Sequence, residues 1–299
     1  MKRWVEGHFN AVLALSVVFG MVMPGLELLP KASAIAFISV AIFFSCPYVS
    51  VAELKSINIK QAGAFFVARF LILPIAIYYA ALALVPDYAI GILLIALVPV
   101  GASTTTVAAL IRANSAFCLS ATVLTNIFAP FLMFAYLYFL VGSNAQIDVV
   151  SVLISAMLGI FVPVGVYFFG VRHFAKAKGW VKDNSKLYAT LFIALMIAYV
   201  VALEKSYILS NLDSVLWMSA VGLVLFAVLY LFAYGFGAKM DWRMQKTYML
   251  CSGVNNTGLA SGLAVLYFSS ETVLFTIIAE VPWILTLMIF KGYVDWRDG

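Results

Sequence analysis

Apolar stretches recur along this chain near residues 8–29, 32–50, 61–85, 88–113, 115–141, 149–171, 186–204, 214–238, 245–268 and 271–291. A helix needs roughly 20 apolar residues to cross hydrocarbon, so these stretches read as ten transmembrane spans. In water the chain would have nothing to cover itself with: 65% of its 299 residues are apolar and 10% are charged. An ordinary soluble domain carries about 25% charged residues. The polar stretch from Val51 to Lys60 cannot cross and is expected to form a short interfacial helix or turn. Lys2-Arg3 followed by an apolar run imitates a signal peptide. The run continues into Pro24-Gly25 and nine more spans follow it, so it is read as the first span.

The net charge of +5 would suggest nucleic acid if the basic residues were scattered, but they are not. With the N-terminus in the cytoplasm, 15 Lys and Arg side chains fall on that side and 2, Lys31 and Lys205, on the other, with Arg69 inside the third span. The acids divide six and six, with Glu280 inside the tenth span. This asymmetry is what the positive-inside rule requires, and a miscounted span would scramble it. Both termini are therefore expected in the cytoplasm. Trp4, Trp180, Trp242 and Trp296 fall at the same boundary, as interfacial anchors do. No nucleic-acid partner follows from this charge.

Enzyme chemistry finds no support. Cys46, Cys118 and Cys251 lie unpaired in apolar runs and read as small buried residues. His8 and His173 are too few and too far apart for a metal site. There are no paired carboxylates and no nucleophile with a base at workable spacing.

Five spans followed by five is an odd repeat length, so the halves 8–141 and 149–291 would have opposite topology, as in many secondary transporters. The fourth span of each half should then look alike. The fourth span reads Leu97-Val-Pro-Val-Gly-Ala-Ser-Thr-Thr-Thr-Val107 and the ninth Cys251-Ser-Gly-Val-Asn-Asn-Thr-Gly-Leu259. Both are apolar helices interrupted near the middle. Pro99 removes a backbone donor, while Gly101, Gly253 and Gly258 lower the cost of leaving helical geometry. A break in hydrocarbon survives only where protein or a wet cavity lines it.

Beyond each break a half-helix restarts behind good N-cap residues, Ser103, Thr104 and Thr105 in one and Asn255, Asn256 and Thr257 in the other. Each restart presents free N–H groups and roughly half a positive charge, which suits a carboxylate at mid-membrane. Gly, Ser and Thr also kink and pack membrane helices without binding anything. Two interruptions at equivalent positions of inverted halves favour a substrate site made of Ala102, Ser103, Thr104, Thr105, Asn255, Asn256 and Thr257.

At these residues the chain resembles the bile acid:sodium symporter family. The resemblance rests on Gly101-Ala-Ser-Thr-Thr-Thr-Val107 leading to Ile111-Arg-Ala-Asn114, on Gly253-Val-Asn-Asn-Thr-Gly-Leu259, and on the ten-span plan. It implies a sodium-coupled carrier of organic anions. Spans 1, 2, 6 and 7 would form a panel, and spans 3–5 and 8–10 a core in which spans 4 and 9 cross. It also implies one sodium site at Thr104, Thr105, Cys118, Thr122 and Cys251, and a second at Arg69 and Asn255. Six of these positions depart from the residues the resemblance implies. Thr104 and Thr105 stand for Ser and Asn, Cys118 for a hydroxyl residue and Asn255 for a glutamine, and two further departures weigh most. Cys251 stands where the resemblance implies a glutamate, and Arg69 where it implies a glutamine. A thiol in place of an acid and a guanidinium in place of an amide remove ligands and add repulsion. Arg69 is therefore expected to act as a tethered cation in the second site, leaving a carrier whose sodium sites are partly altered.

Arg69 and Glu280 lie at similar depths, roughly 13 Å and 16 Å from the cytoplasmic face at 1.5 Å per residue. A charge so deep costs at least ~2.5–3.5 kcal/mol unless paired or hydrated. A salt bridge between them is one expectation, with Glu280 titrating during transport.

The sequence thus describes an all-α, multi-pass membrane protein, one transmembrane unit over residues 1–299. It is read as a secondary transporter that moves a small organic anion by alternating access. The alternatives are a sodium-independent carrier, proton-coupled or uniport, and a ligand-binding receptor without net transport. Its expected partners are the anion and the lipid bilayer. No other cofactor and no protein partner is indicated. The absence of a transit peptide points to a bacterial inner membrane.

Overall fold

The computed structural model describes residues 2–7, 9–48, 59–101, 103–142 and 148–299. Of the interfacial segment expected at 51–60, residues 51–58 lie outside them, and so does Ala102. Among the described residues every regular element is a helix and none is a strand. The chain runs through α1 (Lys2–Gly7), α2 (Phe9–Val22), α3 (Ser33–Ser45), α4 (Ile59–Phe66), α5 (Leu73–Leu84), α6 (Ala89–Leu97), α7 (Thr104–Leu110) and α8 (Ser115–Tyr136). It continues through α9 (Val149–Gly165), α10 (Ala175–Ser210), α11 (Leu212–Phe236), α12 (Trp242–Gly253), α13 (Thr257–Tyr267), α14 (Ser270–Ile278) and α15 (Glu280–Asp298). Among the described residues six continuous stretches are long and apolar enough to cross a bilayer: Lys60–Leu84, Ser115–Val141, Val149–His173, Ala175–Ser210, Leu212–Phe236 and Ser270–Asp298. Shorter apolar helices cover Ala11–Val22, Ser33–Ser45, Pro86–Leu97 and Thr257–Tyr267. Each apolar segment expected from the sequence therefore holds helix.

Helix starts follow side-chain chemistry. Asn114, Asp148 and Asp241 each accept a backbone N–H from three residues ahead (Phe117, Ser151 and Met244), satisfying one orphan donor at the start of α8, α9 and α12. The Ser151 bonds also hold the Asp148 carboxyl below its ordinary range.

Two helices differ from expectation. The seventh span, expected at 186–204, is the 36-residue α10, which begins eleven residues earlier. Hydropathy stops at the edge of the hydrocarbon, whereas Ala175, Lys176, Ala177 and Lys178 are good helix formers that carry the backbone onward. In the tenth span the regular helix is interrupted at Ala279, between α14 and α15. Pro282, in the first turn of α15, has no N–H to offer the carbonyl of Ile278, so the helical ladder is interrupted there.

The long α10 packs on α2 and α3, α11 on α12 and α15, and α6 on α14. The α2–α10 contact is a backbone approach. A Cβ placed on Gly20 would lie 2.3 Å from the carbonyl oxygen of Ala198. Small residues bring membrane helices this close because little else drives them together in lipid. Large apolar side chains such as Leu15, Val18, Leu216 and Leu231 stand exposed, as a lipid-facing surface requires. Trp4, Trp180 and Trp296 are exposed near the ends that carry the basic residues. Trp242 lies under Arg297 with 4.0 Å between guanidinium and ring.

Candidate functional site

The sequence predicts helix breaks within 97–107 and 251–259; α6 ends at Leu97 and α12 at Gly253, and the helices restart at Thr104 and Thr257. Between the half-helices the two chain segments run antiparallel and pair, with Val100 bridged to Asn255. Gly101 N–H donates to Val254 O at 2.8 Å, and Asn256 N–H donates to Pro99 O, also at 2.8 Å. The backbone groups freed by one break are thus satisfied by the other. This is what makes a break tolerable where no water reaches it. Val100 N–H donates to Thr125 Oγ1 at 3.0 Å, tying the crossing to α8.

Among the described glycines, positive φ occurs at Gly25 and Gly142, not at Gly101, Gly253 or Gly258. Their value is thinness. A Cβ on Gly101 would sit 3.3 Å from Asn255 O, and one on Gly253 would lie 2.2 Å from the Tyr230 ring.

Arg69 is fully buried, on the π-helical turn Val67–Ile72 that links α4 to α5. Pro74 offers no donor to the carbonyl of Phe70, and Leu73 N–H reaches back to Ala68 O. The Tyr136 hydroxyl bonds the carbonyls of Phe70 and Leu71. From this turn the guanidinium reaches the crossing. Nε donates to Ser252 Oγ at 2.9 Å, Nη1 to Ala96 O at 2.9 Å, and Nη2 to Ser252 O at 3.1 Å and Asn255 Oδ1 at 3.4 Å. The Phe70 ring lies 4.6 Å from the guanidinium carbon. Ala96 and Ser252 belong to the last turns of α6 and α12, where unpaired carbonyls carry partial negative charge.

The expected Arg69–Glu280 ion pair does not form. Matching depth sets the height of two charges in a membrane but not the face of the helix they occupy. Arg69 contacts the half-helices that end at the crossing. Glu280 is buried at the start of α15, and its Oε1 has no hydrogen-bond partner among the described residues. Ion pairs among the described residues are Lys246–Asp298 at 2.6 Å and Lys291–Asp295 at 2.8 Å.

Below the crossing lies a crevice of about 460 Å³, within the usual range for a small-molecule site. One wall comes from α2, α3 and α10 and the other from α7, α13 and α15. Ser103, Asn255, Asn256 and Thr257 line it, as the sequence predicts; Thr104 and Thr105 do not. Thr104 is fully buried and its Oγ1 has no partner among the described residues. Thr106 lines the crevice and was not anticipated, although it stands three residues from Ser103 and so shares its helix face. Lys186 and Lys291 also line it, as does Glu280, the only acid among its described lining residues.

The two restarts are unequal. Ser103 occupies the N-cap position of the seven-residue α7 without a side-chain cap bond. Asn256 caps the eleven-residue α13 by accepting Leu259 N–H. The Asn255 amide is engaged away from the crevice, donating to Ile95 O at 2.9 Å.

The remaining positions singled out by the sequence separate into two groups. Cys118 and Cys251 come together, with thiols 3.5 Å apart and both side chains buried. The Thr122 hydroxyl donates within its own helix to Cys118 O at 2.9 Å.

Helices without strands among the described residues, apolar faces turned outward and two interrupted helices paired inside the shell are the features of a multi-pass membrane protein. The chain belongs to the sodium bile acid symporter family, whose sequence profile matches residues 32–211, more than half of its length. No curated protein matches it. The matched region contains the first break and ends before the second, so Asn255, Asn256 and Thr257 stand on geometry alone.

Proposed function

We propose that this protein is a secondary transporter of a small organic anion, bound at the crossing of the two broken helices. The observation that carries the reading is the crevice itself. It joins the starts of α7 and α13 to Ser103, Thr106, Asn256 and Thr257, with two lysines lining the same space. Free N–H groups, hydroxyls and lysine ammonium groups are the donors that recognise a carboxylate, and the apolar remainder accommodates a carbon skeleton. Lys186 and Lys291 belong to the basic ends of their spans, so the crevice opens toward the side read as cytoplasmic. In this reading the ten spans form inverted repeats. The wall of α2, α3, α9 and α10 is the panel against which the rest rocks, in a plasma membrane with both termini inside.

Glu280 favours a proton-coupled form of the same carrier. An ionised carboxylate beside Thr257 repels an arriving anion, so binding is expected to accompany its protonation.

Counterflow separates this carrier from a receptor that shares its fold. Proteoliposomes preloaded with an unlabelled panel of small mono- and dicarboxylates should accumulate a labelled member of that panel against its own gradient. The exchange should rise as pH falls. Saturable binding of the same anions without any exchange would support the receptor and end the transporter reading.

A further inference from the structure

The family implies sodium, and the residues present do not suit it. Sodium is a hard cation that needs several oxygen ligands and compensating negative charge. At the first implied position the thiols of Cys118 and Cys251 face each other, and Thr122 is committed to its own helix. Thiol sulfur is a soft donor. The unpartnered Thr104 Oγ1 is one free oxygen, not a coordination shell. At the second position stands the guanidinium of Arg69.

We propose that Arg69 is the resident cation of the helix crossing and replaces a dissociable coupling ion, so that this protein works without sodium. The inference rests on the carrier reading above. Two half-helix C-termini converging in a membrane present carbonyls that attract a cation, which is how broken helices commonly hold one. Here those carbonyls, Ala96 O and Ser252 O, are occupied by a side chain of the same chain, and Asn255 Oδ1 completes the set. The guanidinium is fully buried and has no carboxylate partner among the described residues. Its compensation is the dipole ends themselves. A free cation approaching this point would meet a fixed positive charge and carbonyls already in use.

Thermal unfolding of the purified full-length protein, in sodium chloride and in choline chloride at equal concentration, tests this directly. Wild type should unfold at the same midpoint in both salts. Arg69→Gln, which vacates the carbonyls, should unfold earlier in choline and recover several degrees in sodium, the size of shift that a saturated ligand produces. A saturable, sodium-specific rise in the wild type overturns the proposal. So does an Arg69→Gln protein as stable in choline as the wild type. Should that variant fail to fold, Arg69→Lys keeps a cation and should be as indifferent to sodium as wild type; a sodium-specific rise in it counts against the proposal. Loss of anion counterflow would sink the carrier reading while leaving this salt comparison intact, so the two failures are distinguishable.

Discussion

Arg69→Leu is expected to cost about 3–5 kcal/mol of stability, more than any other single change at the crossing, because it strands buried acceptors that have no other donor among the described residues. The leucine fills part of the space but donates nothing to Ala96 O, Ser252 O or Asn255 Oδ1. Ser252 Oγ keeps one bond, donating to Leu229 O at 2.7 Å, so the loss falls mainly on the carbonyls. No water replaces the guanidinium in an apolar surround, and an unmet carbonyl there is costly. Unfolding followed in detergent should show a large drop in midpoint. A shift within the range of an ordinary surface substitution, about 0.5 kcal/mol, would mean that the broken helices do not depend on Arg69 for their pairing.

Ser103→Trp should have the opposite profile, with exchange abolished and the fold kept. Ser103 makes no cap bond and is only partly buried, so its replacement removes no internal interaction of consequence. It lines a crevice of about 460 Å³, and an indole there displaces whatever else would occupy it. Anion counterflow is expected to fall at least ~10-fold, a loss of at least ~1.4 kcal/mol in transition-state terms, with the unfolding midpoint nearly unchanged. Leu216→Trp, on an exposed face of α11, serves as the control and should transport normally. Equal counterflow in the two variants would remove the crevice from the transport path.

The contrast between these substitutions marks how far the sequence could be read. The breaks were legible because Pro99 and the run Asn255-Asn256-Thr257 violate helix chemistry inside apolar stretches, and such violations need partners. That Asn256 N–H would donate to Pro99 O did not follow: the resemblance implied only that spans 4 and 9 cross, and the register of the pairing is set by the packing. The partner of Arg69 did not follow. Its depth matched that of Glu280, but the π-helical turn before Pro74 determines which way the side chain points, and spacing alone cannot show an extra residue in a turn. Thr106 was within reach of helical periodicity and was overlooked because attention stayed on the cap positions. Lys186 and Lys291 were counted for orientation, and only the packing of α10 and α15 brings them to one crevice. The meeting of Cys118 with Cys251 was implied by the resemblance, which put both in one site, and not by any local pattern in either segment; the packing of α8 against α12 produces it.

The most direct test of an anion site at the helix crossing is the reactivity of a single cysteine placed there. In a protein with Cys46, Cys118 and Cys251 replaced by serine or alanine, Ser103→Cys would be exposed to a charged, membrane-impermeant maleimide. Modification is predicted from the side bearing Lys186 and Lys291, and it should slow markedly when a carboxylate that exchanges in counterflow is present. A modification rate that is indifferent to every anion the protein exchanges would contradict the account.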